Sequence, residues 1–193
     1  MPADQIAAEN EATVKNLIAA FEGESNAHAK YVAFAVKAEA EDLPGAASLF
    51  RAAARAEQIH ANNHARVIRQ LGSGPVAEIH PVTVKSTLEN LKVALAGEQY
   101  EIDSMYPDFI AEAKTHNNTA AIRTFERAME AEITHARLYS EAIKLLESAE
   151  EGTWLAAPRN FYVCPACGYT SEEREGEHCP VCNYIWERFE VVR

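Results

Sequence analysis

Leu17-Ile18-Ala19-Ala20-Phe21-Glu22-Gly23-Glu24 returns in pattern as Leu91-Lys92-Val93-Ala94-Leu95-Ala96-Gly97-Glu98, an offset of 74 from Glu24 to Glu98. A second pair, Glu57-Gln58-Ile59-His60 and Glu132-Ile133-Thr134-His135, repeats at an offset of 75 from Glu57 to Glu132. These stretches lie in four segments whose apolar residues recur every three and four positions, the helical period. The first segment runs from about Asn10 to Asp42 and stops at Leu43-Pro44-Gly45. The second runs from about Ala46 to Leu71 and stops at Gly72-Ser73-Gly74-Pro75. Ser86-Thr87-Leu88-Glu89 opens the third as a capping box, and the fourth follows Asn117-Asn118-Thr119. Pro107, inside the third segment, predicts a kink there.

Two of the connections are short, whereas Gly72 to Lys85 makes a long one bearing Gly and Pro. Short links join antiparallel neighbours, so one long crossover between the second and third helices predicts an all-α, ferritin-like four-helix bundle built from two similar hairpins. Residues 1–149 form this domain, 150–158 a linker, and 159–193 a second unit of different composition.

The whole chain has 193 residues and 21.3 kDa, enough for one large domain and a small appendage. Apolar residues make up 48% and charged residues 24%, which excludes a disordered or collagen-like chain. A formal charge of −11 repels phosphate backbones and anionic lipid, so neither nucleic acid nor membrane is expected as a partner. No apolar run approaches a membrane span and no export signal is visible, so a soluble, cytoplasmic protein is expected.

Each repeated acid falls where a core residue belongs. Glu24 sits on the stripe with Leu17, Phe21 and Tyr31, and Glu57 with Phe50 and Ala53; Glu98 follows Leu91 and Leu95, and Glu132 follows Phe125 and Met129. Burying ionised carboxylates costs several kcal/mol each, and crowding them costs more. Inward acids paired with Arg or Lys are one solution, but no basic residue lies on these stripes. Four inward acids and two inward histidines, His60 and His135, point instead to a pair of divalent metals, since Glu-x-x-His puts both side chains on one face. One Glu from each of two helices with Glu-x-x-His from the other two is the known constellation of di-iron and di-manganese bundles.

Glu101 lies three residues after Glu98 on the same face, and its counterpart in the first half is Ala27. A seventh ligand would let one metal exchange this carboxylate for His60, because a ferric ion favours oxygen and a ferrous ion accepts imidazole. An exposed helix acid is the alternative. His28 and His64 have no histidine partner in the repeat and read as satisfied or solvated, while His80, His116 and His178 fall in loops.

All four cysteines lie in the last 30 residues, as Cys164-Pro165-Ala166-Cys167-Gly168 and Cys179-Pro180-Val181-Cys182. Two Cys-x-x-Cys knuckles predict a tetrahedral thiolate site for zinc or one iron, with disulfides as the alternative. So short a unit needs the metal to fold, and Phe161, Tyr162, Tyr169, Tyr184, Trp186 and Phe189 are expected to cover it.

On these motifs the chain resembles the rubrerythrin family over nearly its whole length: a ferritin-like di-iron bundle followed by a rubredoxin-like domain. The resemblance implies an oxo- and carboxylate-bridged pair of irons held by Glu24, Glu57, Glu98, Glu101, Glu132 and His135, with His60 replacing Glu101 on reduction. It implies that Tyr31 and Tyr106 hydrogen-bond near these ligands, and that Cys164, Cys167, Cys179 and Cys182 hold a third iron. Rubredoxins commonly carry Gly after the fourth cysteine; here Asn183 stands there, a residue that tolerates the left-handed backbone.

The function so implied is a peroxidase that reduces hydrogen peroxide to water. Its electrons would pass through the four-cysteine iron from an NAD(P)H-dependent reductase or a rubredoxin. No dinucleotide fingerprint occurs here, so that reductase is a separate protein. The family's head-to-tail homodimer, in which one subunit's cysteine site serves the other's di-iron site, is expected. The competing readings are a ferroxidase or iron-storage protein with a structural zinc ribbon, and a helical interaction protein with no metal in its bundle.

Overall fold

A computed structural model describes residues 3–148 and 156–193, with side chains from residue 10 onward. The boundary at Ala149 and most of the 150–158 linker lie outside the described residues. Helix α1 spans Ala3–Ala40, α2 Pro44–Gln70, α3 Thr87–Tyr100, α4 Tyr106–Thr115 and α5 Thr119–Glu147. The bundle is the ferritin-like one, with a single long crossover between α2 and α3. No described helix is long and apolar enough to cross a membrane.

Local chemistry explains the boundaries. Ser86 caps α3 in a reciprocal box with Glu89, and the Asn118 side chain accepts from the Ala121 amide to start α5. Pro44 sits in the first turn of α2, where a missing N–H costs nothing. The two hairpin turns are copies. Asp42 (φ 56°) and Asn117 (φ 53°) take the left-handed conformation, and the amides of Leu43 and Asn118 return to the carbonyls of Ala38 and Ala113. The crossover is tied down by Asn26, whose amide donates to the Glu78 carbonyl and whose oxygen accepts from the His80 amide, each at 2.8 Å.

The third segment is irregular, though not at Pro107 itself. Glu101–Met105 form a π-helical turn that runs directly into α4, and Pro107 lies in the first turn of α4. This turn accounts for the shift in offset. Positions before it repeat at 74, while Ala40 and Thr115, Pro44 and Thr119, and Glu57 and Glu132 all repeat at 75. The single extra residue is absorbed inside the helix, beside Glu98.

Strands β1 (Phe161–Val163), β2 (Thr170–Ser171) and β3 (Glu190–Val192) form an antiparallel sheet in the order β2-β1-β3, with a short 3-10 turn at Trp186–Arg188. Tyr169 and Trp186 pack around the cysteines as expected, and Phe189 stacks on Trp186 at a centroid distance of 4.1 Å. Phe161 goes elsewhere. With Val163 it fills the bundle core beside Tyr31 and Phe50, while Tyr162 between them packs on the cysteine cluster, so strand β1 serves both domains. Arg55 reinforces the joint with two hydrogen bonds to Glu190, at 2.6 and 2.8 Å.

Candidate metal centres

The bundle core is split into two apolar clusters, one around Phe34, Phe50 and Tyr139, the other around Leu17, Ile68 and Phe125. Between them lies a belt of buried acids. Glu24, Glu57, Glu98, Glu132, His60 and His135 all converge there, each at most 1% exposed. Their ligand-capable atoms form two groups, Glu24, Glu57, His60 and Glu132, and Glu57, Glu98, Glu132 and His135, with every atom of a group within 4.8 Å of the others. Glu57 and Glu132 belong to both groups. His60 Nδ1 lies 2.8 Å from Glu132 and 3.0 Å from Glu57, and His135 Nδ1 lies 2.7 Å from Glu132.

Glu101 is placed differently. It lies on the π-helical turn, is partly exposed, and stands outside both groups, whereas His60 stands inside one. Tyr31 donates to Glu98 Oε1 at 2.8 Å, and Tyr106 donates to Glu24 Oε1, so each half of the bundle holds the other half's acid. His28 and His64 both find partners: His28 meets the Ala54 carbonyl, and His64 meets Tyr106 and Thr124.

The electrostatics call for cations. Among the described residues the bases paired with these acids are His60, His64 and His135, with no Lys or Arg. Five carboxylates against three imidazoles leave negative charge unmatched even if every ring is protonated. Burial, then the charges of neighbouring acids, pushes Glu57, Glu98 and Glu101 well above the ordinary carboxylate range. Burial pushes Glu24 and Glu132 the same way, but the imidazoles beside them outweigh it and hold both low. Glu24 Oε2, Glu57 Oε1 and Glu101 Oε2 make no hydrogen bond. Buried carboxylate oxygens left bare and aimed at a shared space, with imidazole nitrogens among them, are a donor set that fits a pair of divalent cations.

The second centre is the cysteine cluster. All four sulfurs lie within 4.8 Å of one another and none is bonded to another; Cys164 to Cys182 and Cys167 to Cys179 are each 3.6 Å. A disulfide needs about 2.05 Å, whereas 3.6 Å is the edge of a tetrahedron whose corners lie near thiolate–metal distance, about 2.3 Å from its centre. Asn183 takes φ 62°, the left-handed conformation expected after the fourth cysteine.

The two centres touch. His60 Nε2 donates to the Cys167 carbonyl at 2.9 Å, and His135 Nε2 meets Thr170 Oγ1 at 3.1 Å. Thr170 in turn donates to the Gly168 carbonyl, so its oxygen is free to accept from His135. Gly168 makes the first contact possible: its φ is +82°, and a Cβ there would stand 2.2 Å from His60 Nε2. One chain makes both contacts by itself. Sequence reasoning did not single out Gly168, Thr170 or Thr124 as part of this network.

Comparison with known proteins agrees with this architecture. The Rubrerythrin family model matches residues 15–143. Rubrerythrin-2 of Clostridium acetobutylicum is 34% identical over 183 residues, 94% of this chain and 97% of that protein. Nigerythrin of Nitratidesulfovibrio vulgaris is 36% identical over 179 residues, 88% and 81% of the two chains. A structure of fully reduced, all-ferrous nigerythrin superposes with a TM-score of 0.82 at 35% identity, covering 93% of this chain and 86% of the other. The bacterioferritin of Desulfovibrio desulfuricans, at 18% identity and a TM-score of 0.70, shares the fold.

Proposed function

The chain belongs to the rubrerythrin family, and from that premise we propose that it is a di-iron peroxidase fed with electrons through its four-cysteine site. The observation that carries this reading is the direct hydrogen bond from His60 Nε2 to the Cys167 carbonyl, which ties a dimetal ligand to a cysteine knuckle. A storage protein with a structural ribbon has no use for a thiolate cluster wired to a dimetal ligand.

Glu24 and His60 would complete one iron position and Glu98 and His135 the other, with Glu57 and Glu132 shared. A pair of ferrous ions held there would supply the two electrons that, with two protons, reduce hydrogen peroxide to two waters. Tyr31 and Tyr106 fix the orientation of Glu98 and Glu24 by donating to one oxygen of each, leaving the other oxygen for a metal. Glu101, whose Oε2 is buried and unbonded on the π-helical turn, would be the carboxylate that takes over from His60 as the positive charge of the centre rises. Cys164, Cys167, Cys179 and Cys182 would hold the third iron. The Cys167 carbonyl and Thr170 would link that site to the imidazoles of His60 and His135.

An NAD(P)H-dependent reductase or a rubredoxin is the proposed donor to that iron. The proposal extends to a head-to-tail homodimer in which partners exchange their small domains and make the His60 contact between chains. A particle of one chain with full turnover would refute the exchange. The direct test of function is anaerobic addition of peroxide to the reduced, iron-loaded protein. Consumption of one peroxide per two irons, with about three irons per chain and a visible band that bleaches on reduction, is expected. A colourless cysteine site with oxidation by dioxygen but not by peroxide would establish the storage reading instead.

A further inference from the structure

We propose that Thr124, His64 and Tyr106 form a proton-conducting chain that runs from a cleft between α2 and α5 to the Glu24 edge of the dimetal centre. The hydrogen bonds fix its direction. Tyr106 has one hydroxyl proton, which it gives to Glu24 Oε1, so its oxygen must accept from His64 Nε2, 3.1 Å away. With the proton on Nε2, the neutral ring presents a bare Nδ1, and Thr124 Oγ1 donates to it at 3.1 Å. Every donor therefore points inward. The outer end borders a cleft: Thr124, though only 8% exposed, lines a space of about 190 Å³ with Asn63, Gln70 and Arg127.

The internal repeat shows that the bundle does not need this chain to stand. At an offset of 75, Tyr106 corresponds to Tyr31, His64 to Tyr139 and Thr124 to Leu49. Tyr31 donates to Glu98 as Tyr106 donates to Glu24. Beyond Tyr31, however, the path ends: the Tyr139 hydroxyl is buried with no hydrogen-bond partner, and Leu49 is apolar and fully buried. One half carries a polar line to the surface where the other packs hydrocarbon. That line reaches the half of the centre that holds His60 and faces Glu101.

Its purpose rests on the peroxidase reading, because reducing one peroxide to two waters with two electrons from iron consumes two protons inside a closed core. In each passage a water in the cleft gives a proton to Thr124 Oγ1, whose own proton moves to Nδ1. Nε2 then releases its proton to Tyr106, which hands its own to the Glu24 edge. One proton enters, one leaves, and no charge stays behind; the next passage waits until the ring has lost its Nδ1 proton and regained one on Nε2.

Two measurements test the chain. In the metal-free protein, side-chain nitrogen NMR should show a neutral His64 with its proton on Nε2, and the shift of Nδ1 should change in Thr124→Val, which removes its donor. A proton on Nδ1, or a doubly protonated ring, overturns the proposal. In iron-loaded, pre-reduced protein, Thr124→Val should slow single-turnover oxidation by peroxide at least about tenfold and raise the solvent deuterium isotope effect, while Thr124→Ser should recover the rate to within about twofold. A valine variant as fast as the wild type, or a serine variant as slow as valine, overturns it. If peroxide does not oxidise the wild type at all, the peroxidase reading fails alone, and the tautomer decides the fate of the chain.

Discussion

Replacing Gly168 with alanine tests the joint between the two centres. The new Cβ would stand 2.2 Å from Nε2 and 2.8 Å from Cδ2 of His60, at a backbone φ of +82°. Holding alanine in the left-handed region costs about 1–2 kcal/mol. Ring or knuckle must then retreat, which breaks the bond to the Cys167 carbonyl and leaves a buried N–H unmet, a further loss of about 1–3 kcal/mol. Together about 2–5 kcal/mol is set against docking, which lowers the docking equilibrium constant roughly 30- to 4,000-fold relative to wild type. Amide hydrogen exchange across residues 164–170 reads that equilibrium. The rate at which electrons placed on the cysteine iron reach the dimetal centre reads its consequence. Exchange protection should fall and electron arrival should slow at least about tenfold, with the visible spectrum of the cysteine iron unchanged. Gly168→Asn separates the two causes, since asparagine accepts a left-handed backbone, as Asn183 does, but keeps the offending Cβ; it should behave like alanine. Gly176, where a Cβ meets nothing within 4 Å, is the control. Wild-type protection and electron transfer in Gly168→Ala would refute the reasoning.

Without metal, stability should fall as pH rises past 4.5, because Glu57, Glu98 and Glu101 have raised values and stabilise the fold only while protonated. His60, also held high, acts in the same sense, and Glu24 and Glu132, held low, keep their contribution throughout. Thermal melts between about pH 5 and 8 should show this decline, and a divalent metal should reverse it; a flat metal-free profile refutes the account. Tyr139→Phe removes a hydroxyl that makes no bond and should change stability by less than about 0.5 kcal/mol, whereas Tyr106→Phe strips a donor from Glu24 and an acceptor from His64 and should cost about 1–3 kcal/mol in urea unfolding. Cys167→Ser should remove one iron per chain and the near-ultraviolet signal of Trp186 stacked on Phe189, while helical circular dichroism persists. Retention of that signal would show that the small domain holds together without its metal.

Much of this architecture was legible in the sequence because helical period, capping and repetition are local properties of a chain. The Ser86 box, the Asn117-Asn118 turn and the acids on apolar stripes all appear in the structure where the spacing put them. The irregularity of the third segment was attributed to Pro107, yet it precedes that residue. A π-helical turn is a response to an inserted residue, and only the change of offset from 74 to 75 betrays it. Glu101 follows Glu98 on one helical face, and its Oε2 is buried without a partner, but the four-atom groups include His60 and leave Glu101 out, a distinction that helical face alone does not encode. Phe161 reads as an aromatic cover for the cysteines; its burial in the bundle depends on docking, which no local pattern encodes. Gly168 is in the same position, since its value lies in what it lets another domain approach.

The crossed tyrosines carry a consequence for ancestry and loading. When each hairpin lends its phenol to its twin's acid, the exchange is that of an isologous dyad, as if two identical subunits had been fused into one polypeptide. A hairpin severed at the crossover should therefore seek out a second molecule of itself. Where the twins have diverged, at Glu101 against Ala27, His64 against Tyr139 and Thr124 against Leu49, the equivalence of the two cation seats is lost. Stepwise rather than simultaneous filling, the first equivalent held more tightly than the second, is the signature such divergence would leave in a titration.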